Sequence, residues 1–180
     1  MKRSSFWSVV LLGLALLLVP AAPGSAAPYC GLVWGSLDKT APGLSAAPLT
    51  AVRTGRHACY DRLVLDLAGP AGGYTVRYVA EATHDGSGIV VPTRGGASIQ
   101  VTVNDPAYDT AGTPTYLPAD PGEVQDVTGY STFRQVVWAG TFEGYTSVGL
   151  GVRARLPFRV FVLPGPGAGS RLVVDVAHRW

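Results

Sequence analysis

Short segments in which apolar and polar residues alternate recur along this chain of 180 residues. They are rich in Val, Leu, Thr and aromatic residues and are bounded by Gly, Pro or Asp, a pattern typical of β-strands. Beyond the first 26 residues, no stretch shows sustained helical periodicity. We therefore predict an all-β fold, a sandwich or a partly closed barrel, with strands at 49–53, 60–67, 74–81, 97–104, 132–139, 146–155, 158–163 and 170–177.

Two of the predicted strands carry nearly the same sequence. Residues 62–68 read RLVLDLA and residues 171–177 read RLVVDVA, which predicts that one structural unit occurs twice in the fold. Because side chains alternate faces along a strand, the leucines of the first copy share one face, whereas Arg62 and Asp66 share the other. The second copy repeats this division.

The charged residues of the repeat predict structural charge pairs that involve Arg62, Asp66, Arg171 and Asp175. Within one strand the Arg and the Asp are about 13 Å apart, so each needs a partner from elsewhere. If the two copies are antiparallel neighbours, Arg62 faces Asp175 and Asp66 faces Arg171 in a single register. If the copies lie in different sheets, their leucine faces meet in a shared core.

The N-terminus has the pattern of a secretory signal peptide over residues 1–26. Two basic residues precede an apolar run at 6–19, and small residues follow. The run is about 14 residues long, shorter than the roughly 20 residues that a membrane-spanning helix needs. We expect cleavage after Ala26 or Ala27, a secreted mature protein and no stable insertion into the membrane.

Net charge argues against binding to nucleic acid. The chain has 14 basic and 12 acidic residues, and removal of a signal peptide that contains Lys2 and Arg3 leaves 12 of each. Affinity for nucleic acid depends on cationic contacts to phosphate groups. A mature chain near neutrality lacks that general attraction.

Two cysteines, Cys30 and Cys59, predict a disulfide bond, because a cysteine pair in an exported protein usually oxidises. The bond would close a loop of about 30 residues and stabilise the fold by roughly 3 to 4 kcal/mol. A reactive thiol is disfavoured because the pair lacks redox spacing. Lipid attachment at Cys30 is disfavoured because the bulky Tyr29 precedes it.

The chain after the signal peptide has about 153 residues, the size of one domain. We divide it into an irregular N-terminal segment at 27–48 and a β domain at 49–180. Residues 105–129 contain four prolines and form a long insertion. Long ordered loops are often functional, but a covering flap without a ligand is an equally good interpretation.

Further motifs extend along most of the mature chain, namely CG at 30–31, WGS at 34–36, VRTGRH at 52–57, CYDR at 59–62 and RLVVDVAH at 171–178. With these motifs the chain resembles the AMIN-like domain proteins of high-GC Gram-positive bacteria, which are related to the AMIN domain of cell-wall amidases. The resemblance implies a β-sandwich of two pseudo-symmetric sheets and favours the repeated strands in separate sheets. It also implies a role at the cell envelope through binding of peptidoglycan or another wall polymer.

No motif in the sequence predicts catalysis or a metal site. The three histidines show neither HxH nor HxxxH spacing, and the G-x-S-x-G motif of serine hydrolases does not occur. Asp61, Glu143 and Asp175 could be proposed as carboxylates for glycoside cleavage, but nothing in the sequence places them together. We therefore expect a non-catalytic protein without metal or cofactor.

Residues 142–159 hold the best candidates for binding a ligand. Arg153 and Arg155 share one face of a predicted strand, and Arg159 follows closely. Neighbouring arginines form a fork for the carboxylate or phosphate groups that peptidoglycan stems and teichoic acids carry. The alternative is that these arginines form ion pairs inside the fold, with Asp61, Asp66, Glu143 or Asp175.

Aromatic and polar residues complete the candidate site. Trp138 and Tyr145 could stack on sugar rings, although single aromatic residues on strands more often belong to the core. Glu143 lies between them in the sequence. His57 is interpreted as a hydrogen-bonding loop residue that could also touch a ligand.

These observations predict a secreted, monomeric, disulfide-bonded β-sandwich that associates with the cell wall by binding peptidoglycan or another glycan. The alternative is a protein-interaction or inhibitor-like module that acts through the 105–129 loop. Wall retention would separate the two functions, because only the first predicts binding to purified cell walls.

Overall fold

The computed structural model describes residues 27–180. Within this range two antiparallel β-sheets pack face to face and do not close into a barrel. The predicted all-β sandwich is therefore confirmed. The signal-peptide prediction falls on residues 1–26, which lie outside the described residues.

Residues 27–180 form eleven strands after a 3-10 turn at Tyr29–Gly31. The strands are β1 Lys39–Ala41, β2 Leu49–Arg56, β3 Tyr60–Leu67, β4 Tyr74–Val79, β5 Ala82–Thr83, β6 Val90–Val91, β7 Ala97–Val103, β8 Phe133–Phe142, β9 Tyr145–Val152, β10 Phe158–Pro164 and β11 Ser170–Ala177.

The strands are distributed over two large sheets and one small hairpin. The five-stranded sheet has the order β1-β4-β7-β9-β8, and the four-stranded sheet has the order β10-β11-β3-β2. Strands β5 and β6 pair with each other. As a result, β8 and β2 are edge strands of the two different large sheets.

Apolar side chains on the inner faces of the two large sheets form one core. Leu63 and Leu65 of β3 and Leu172 of β11 are fully buried, as are Val101 and Leu150 of the opposite sheet. This arrangement follows from the alternation in the sequence, because each strand directs every second side chain to the same face. The charged residues of the repeat are thereby placed on the outer face.

The two copies of the repeated sequence are antiparallel neighbours at the centre of one sheet. In the pairing of β3 with β11, Arg62 stands opposite Asp175 and Asp66 stands opposite Arg171. The register expected for neighbouring copies is confirmed. The expectation that the copies lie in separate sheets is wrong, because β3 and β11 bond directly to each other.

Strand boundaries agree best with the sequence where the repeat occurs. The strands predicted at 60–67 and 170–177 have the observed bounds of β3 and β11. The strand predicted at 146–155 ends earlier, at Val152, and residues 153–155 form a bend. The short strands β1, β5 and β6 were not predicted, since two or three residues carry too little alternation to recognise.

The 105–129 insertion closes one open side of the sandwich. Next to β2, the amide of Leu49 donates to the carbonyl of Pro106 at 2.7 Å. Next to β8, the amide of Val124 donates to the carbonyl of Val136 at 2.9 Å. Val124 and Val127 are buried in the core. These contacts join the edge strands of both sheets and favour the interpretation of the insertion as a structural cover.

The predicted disulfide bond between Cys30 and Cys59 is confirmed. It fastens the start of the 27–48 segment to the turn before β3, and strand β1 of the same segment pairs with β4. The segment is therefore attached to both sheets. Among residues 27–180, no helix has the length and apolar character needed to cross a membrane.

Candidate functional site

The outer face of the four-stranded sheet carries rows of charged and aromatic side chains. One row crosses β10, β11 and β3 and contains Arg159, Asp175 and Arg62, since Arg159 pairs in register with Asp175 and Asp175 with Arg62. Two residues further along the strands, Phe161, Val173 and Val64 form the next row. An apolar strip thus borders the charged row.

Asp175 is the centre of the charged row. Its carboxylate is fully buried and accepts hydrogen bonds from Arg62, with 2.6 Å from Nε to Oδ1 and 2.8 Å from Nη2 to Oδ2. The Nε atom of Arg159 donates to Oδ2 at 2.9 Å. The hydrogen bond to Asp175 raises the pKa of Arg62 above its ordinary value. Two cations on one carboxylate leave a net charge of +1.

Aromatic rings surround these two guanidinium groups. The Cζ atom of Arg159 lies 4.5 Å from the ring centre of Trp34, 4.9 Å from that of Phe161 and 5.6 Å from that of Tyr60. The Cζ atom of Arg62 lies over Tyr60 and Phe161 at 5.4 and 5.6 Å. Such distances allow cation–π attraction. We call these five residues, together with His57, which stacks on Tyr60, the aromatic–arginine cluster.

Trp34 reaches the cluster from outside the sheet. It lies four residues after Cys30, whose disulfide bond holds this segment beside β3. The amide of Phe158 donates to the carbonyl of Gly35 at 3.0 Å, which fixes the segment against the start of β10. The Trp34 ring then packs on Tyr60, with 5.5 Å between ring centres. The disulfide bond therefore supports a residue of the cluster.

The chain was also compared with models of known protein families. The model of the AMIN-like domain matches residues 47–178. The chain belongs to the AMIN-like domain family. The suspected resemblance is confirmed. Comparisons with curated proteins and with solved structures found no match. Family membership and the disulfide bond together indicate an extracytoplasmic module that associates with the cell wall.

Two of the sequence-predicted ligand residues of this AMIN-like domain lie in the aromatic–arginine cluster. Arg159 is a member of its charged row, and its side chain is 41% exposed. His57 is exposed and stacks on Tyr60, with 4.5 Å between ring centres and 22° between ring planes. The structure therefore joins two residues that are 102 positions apart in the sequence.

Arg153 and Arg155 occupy a different place. They lie in the bend after β9 rather than on a strand face, which corrects the sequence prediction. Arg153 donates to the carbonyl of His178, and Arg155 donates to Ser36, with 2.9 Å from Nη2 to the carbonyl oxygen. Both arginines fasten the surrounding loops through neutral oxygen atoms. Neither forms an ion pair within the described residues.

The remaining predicted ligand residues belong to the five-stranded sheet. Trp138 is buried in the core, with its ring 5.3 Å from that of Tyr116. Glu143 and Tyr145 are exposed at the β8–β9 turn, where Glu143 has a φ of 48°. Trp138 offers no free ring face to a sugar, and the other two lie in a different sheet from the aromatic–arginine cluster.

Sequence reasoning missed three rings of the cluster, Trp34, Tyr60 and Phe161. Two of them carried a usable signal, since Tyr60 precedes Arg62 by two positions and Phe161 follows Arg159 by two. Residues two apart on a strand share a face. Trp34 carried no such signal because it belongs to an irregular segment.

Two of the three carboxylates that were considered for catalysis, Asp61 and Asp175, have structural partners in this AMIN-like domain. Asp61 is fully buried, and its Oδ2 accepts from the amides of Thr132 and Phe133 at 2.6 and 3.1 Å. Its Oδ1 lies 3.2 Å from Nε2 of His178. Asp61 thereby links β3 to the start of β8. Across residues 27–180, no group of His, Cys, Asp or Glu side chains is arranged to hold a metal ion.

Proposed function

We propose that this AMIN-like domain is an exported, non-catalytic module that binds peptidoglycan or another cell-wall glycan through the aromatic–arginine cluster. The observation that carries the proposal is the partly exposed set of three aromatic rings around two guanidinium groups that share one buried carboxylate. Family membership supports an association with the wall.

The cluster offers both kinds of contact that a sugar needs. A sugar ring has a face of C–H groups, which packs on aromatic rings such as Trp34 and Tyr60. It also has hydroxyl groups at its rim, which accept hydrogen bonds from guanidinium N–H donors. Arg62 and Arg159 use Nε and Nη2 for Asp175. Their Nη1 donors have no protein acceptor among the described residues.

The cluster is also ordered before a ligand arrives. Asp175 holds both arginines from below, and Tyr60 packs against Trp34 and His57. A binding site whose long side chains are already fixed loses less conformational entropy on binding than a flexible site does. This supports recognition by a rigid surface rather than by a mobile loop.

The carboxylates support a non-catalytic role. Hydrolysis of a glycosidic bond uses a pair of accessible carboxyl groups on either side of the bond. Asp61 and Asp175 are fully buried and already accept hydrogen bonds, and Glu143 lies at the β8–β9 turn of the other sheet. The aromatic–arginine cluster therefore presents donors and rings, without a free carboxylate pair.

Retention on purified cell walls tests the proposal. We expect Trp34→Ala and Arg159→Gln each to weaken retention by roughly tenfold, the effect of losing about 1.4 kcal/mol of binding free energy. Arg77→Gln is the matched control, because Arg77 is an exposed arginine on β4 of the other sheet. Thermal unfolding of each variant verifies that the fold is retained.

Three outcomes would contradict the proposal. The cluster is not the binding surface if Trp34→Ala and Arg159→Gln are retained as well as Arg77→Gln. Wall binding is wrong if the wild-type domain is not retained and a protein partner is recovered through the 105–129 loop. A non-catalytic role is wrong if the same incubation releases soluble wall fragments.

A further inference from the structure

A second concave surface lies at the other end of the same sheet face. It is a groove of about 920 Å³ between the turn that joins β10 to β11 and the start of β2. Its charged lining residues are Arg53, Asp66 and Arg171, and the 164–170 turn forms its wall. We call this surface the hairpin groove.

In the hairpin groove Asp66 forms an ion pair with Arg53, and Arg171 has no carboxylate partner among the described residues. Both oxygens of Asp66 accept from Arg53, with 2.5 Å from Nε to Oδ2 and 2.7 Å from Nη2 to Oδ1. Arg171 stands opposite Asp66 in the strand register but forms no ion pair with a described residue. Its Nη2 donates to the carbonyl of Pro164 at 3.0 Å, and its buried Nε has no acceptor.

The repeated strand shows which partner an arginine in this position takes. Arg62 is the equivalent of Arg171 in the other copy, and it binds the carboxylate of Asp175 through Nε and Nη2. Arg171 has the same position, but Asp66 is occupied by Arg53. The hairpin groove therefore holds two cations and one anion, a net charge of +1, and one guanidinium group with unused donors.

We propose that the hairpin groove binds an oxyanion, a carboxylate or a phosphodiester group, through Arg171 with the assistance of Arg53. A guanidinium group matches the geometry of both oxyanions and binds either through two parallel hydrogen bonds. A monoanion neutralises the excess charge of the groove. The proposal rests on the proposed function for its choice of ligand, an acidic wall polymer.

The position of the hairpin groove suits a polymer that also contacts the aromatic–arginine cluster. Arg62 and Asp66 are four residues apart on β3, a separation of about 13 Å along the strand. The apolar strip of Val64 and Val173 lies between the two sites. One extended chain can therefore place a sugar on the aromatic rings and an acidic group in the hairpin groove.

Titration with sodium phosphate and with sodium acetate, at constant ionic strength in sodium chloride, tests the groove without a polymer. NMR follows the titration. The signals of the Arg171 side-chain Nε–H and of the backbone amides of the 165–169 turn should shift, and the shifts should saturate as the anion concentration rises. We expect Arg171→Gln to weaken the affinity at least tenfold, and Arg53→Gln to weaken it less. Arg77→Gln, on the other sheet, should bind as the wild type does.

The groove proposal is overturned if neither anion gives a saturating shift, or if Arg171→Gln binds them as Arg77→Gln does. Arg171→Gln is accepted only if its thermal unfolding matches that of the wild type. If it does not, Arg171→Lys replaces it, because lysine keeps the charge but cannot donate two parallel hydrogen bonds. An affinity equal to that of the wild type in Arg171→Lys would then overturn the proposed geometry.

Wall retention separates this proposal from the proposed function and identifies the source of the oxyanion. If Trp34→Ala loses wall retention and the wild type does not bind the anions, the cluster is supported and the groove is overturned. If the wild type binds the anions, Arg171→Gln abolishes that binding and Trp34→Ala is fully retained on walls, the groove is supported and the cluster is overturned. If retention depends on Arg171 only on walls that carry teichoic acid, the oxyanion is a phosphodiester. If retention still depends on Arg171 on walls from which teichoic acid has been stripped, the oxyanion is a carboxylate.

Discussion

Asp175 and Arg62 are 113 positions apart in the chain, yet they lie directly opposite each other on neighbouring strands, with 2.6 Å between Oδ1 and Nε. The carboxylate is fully buried, whereas the arginine side chain is 22% exposed. This pair joins the two copies of the repeated sequence. It also fixes the guanidinium group on which the proposed glycan site depends.

The two carboxylates of the repeat, Asp66 and Asp175, are expected to contribute very differently to the free energy of unfolding. Asp175→Ala should lower the free energy of unfolding by about 3 to 5 kcal/mol, because it leaves Arg62 and Arg159 without the buried carboxylate that they share. Asp66→Ala should lower it by only about 0 to 1 kcal/mol, since the Arg53 side chain that pairs with Asp66 is 55% exposed. Urea denaturation measures both values. Equal losses would show that burial does not distinguish the two ion pairs.

The disulfide bond is expected to support both stability and binding. Replacement of Cys30 and Cys59 together by serine should lower the free energy of unfolding by about 3 to 4 kcal/mol, the value for a closed loop of about 30 residues. It should also weaken wall retention, because the bond holds the segment that carries Trp34.

Reducing agent provides the control for this variant. Addition of dithiothreitol should destabilise the wild type to the level of the double serine variant and should leave that variant unchanged. Full wall retention by the folded variant would contradict the supporting role assigned to the bond.

Asp105 is expected to give a characteristic pH dependence. Its Oδ2 accepts from the amide of Gly72 at 2.9 Å, its Oδ1 has no partner, and burial raises its pKa. The carboxyl group of Asp105 therefore keeps its proton to a higher pH in the folded state than in the unfolded chain, and this bound proton stabilises the fold. Its stabilising effect is complete below the unfolded pKa of about 4 and is lost as the pH rises through the folded value.

The Asp105→Asn variant reveals this effect in thermal unfolding. The Tm of the variant minus that of the wild type should become more positive between pH 3 and pH 7. Asp126→Asn should change in the opposite direction, because a hydrogen bond from the amide of Thr128 lowers the pKa of Asp126. The same sign of change in both variants would contradict the assigned causes.

The sequence predicts most of the framework because the framework depends on local alternation. The register of β3 against β11 could be deduced from the repeated Arg and Asp alone, since opposite charges select one alignment. The choice between one sheet and two could not be deduced, because the leucine face of each copy packs equally well in either arrangement. Hydrogen bonding between β3 and β11 decides it.

The candidate site is less predictable because it combines strands with an irregular segment. Arg159 and His57 were identified, but the rings that give them a common site come from β3, β10 and the segment after the disulfide bond. No periodic pattern reports the position of Trp34. The arginines at 153 and 155 were given a strand face because the apolar pattern of β9 continues past its last paired residue, Val152.

A strand that reads Arg-Leu-Val-x-Asp is its own complement when it is turned end for end. Either copy could pair equally well with the same stretch of a second molecule, which makes an uncovered copy a nucleus for aggregation. In the native sheet β2 and β10 cover the free sides of the twin strands. These two flanking strands therefore keep neighbouring molecules apart.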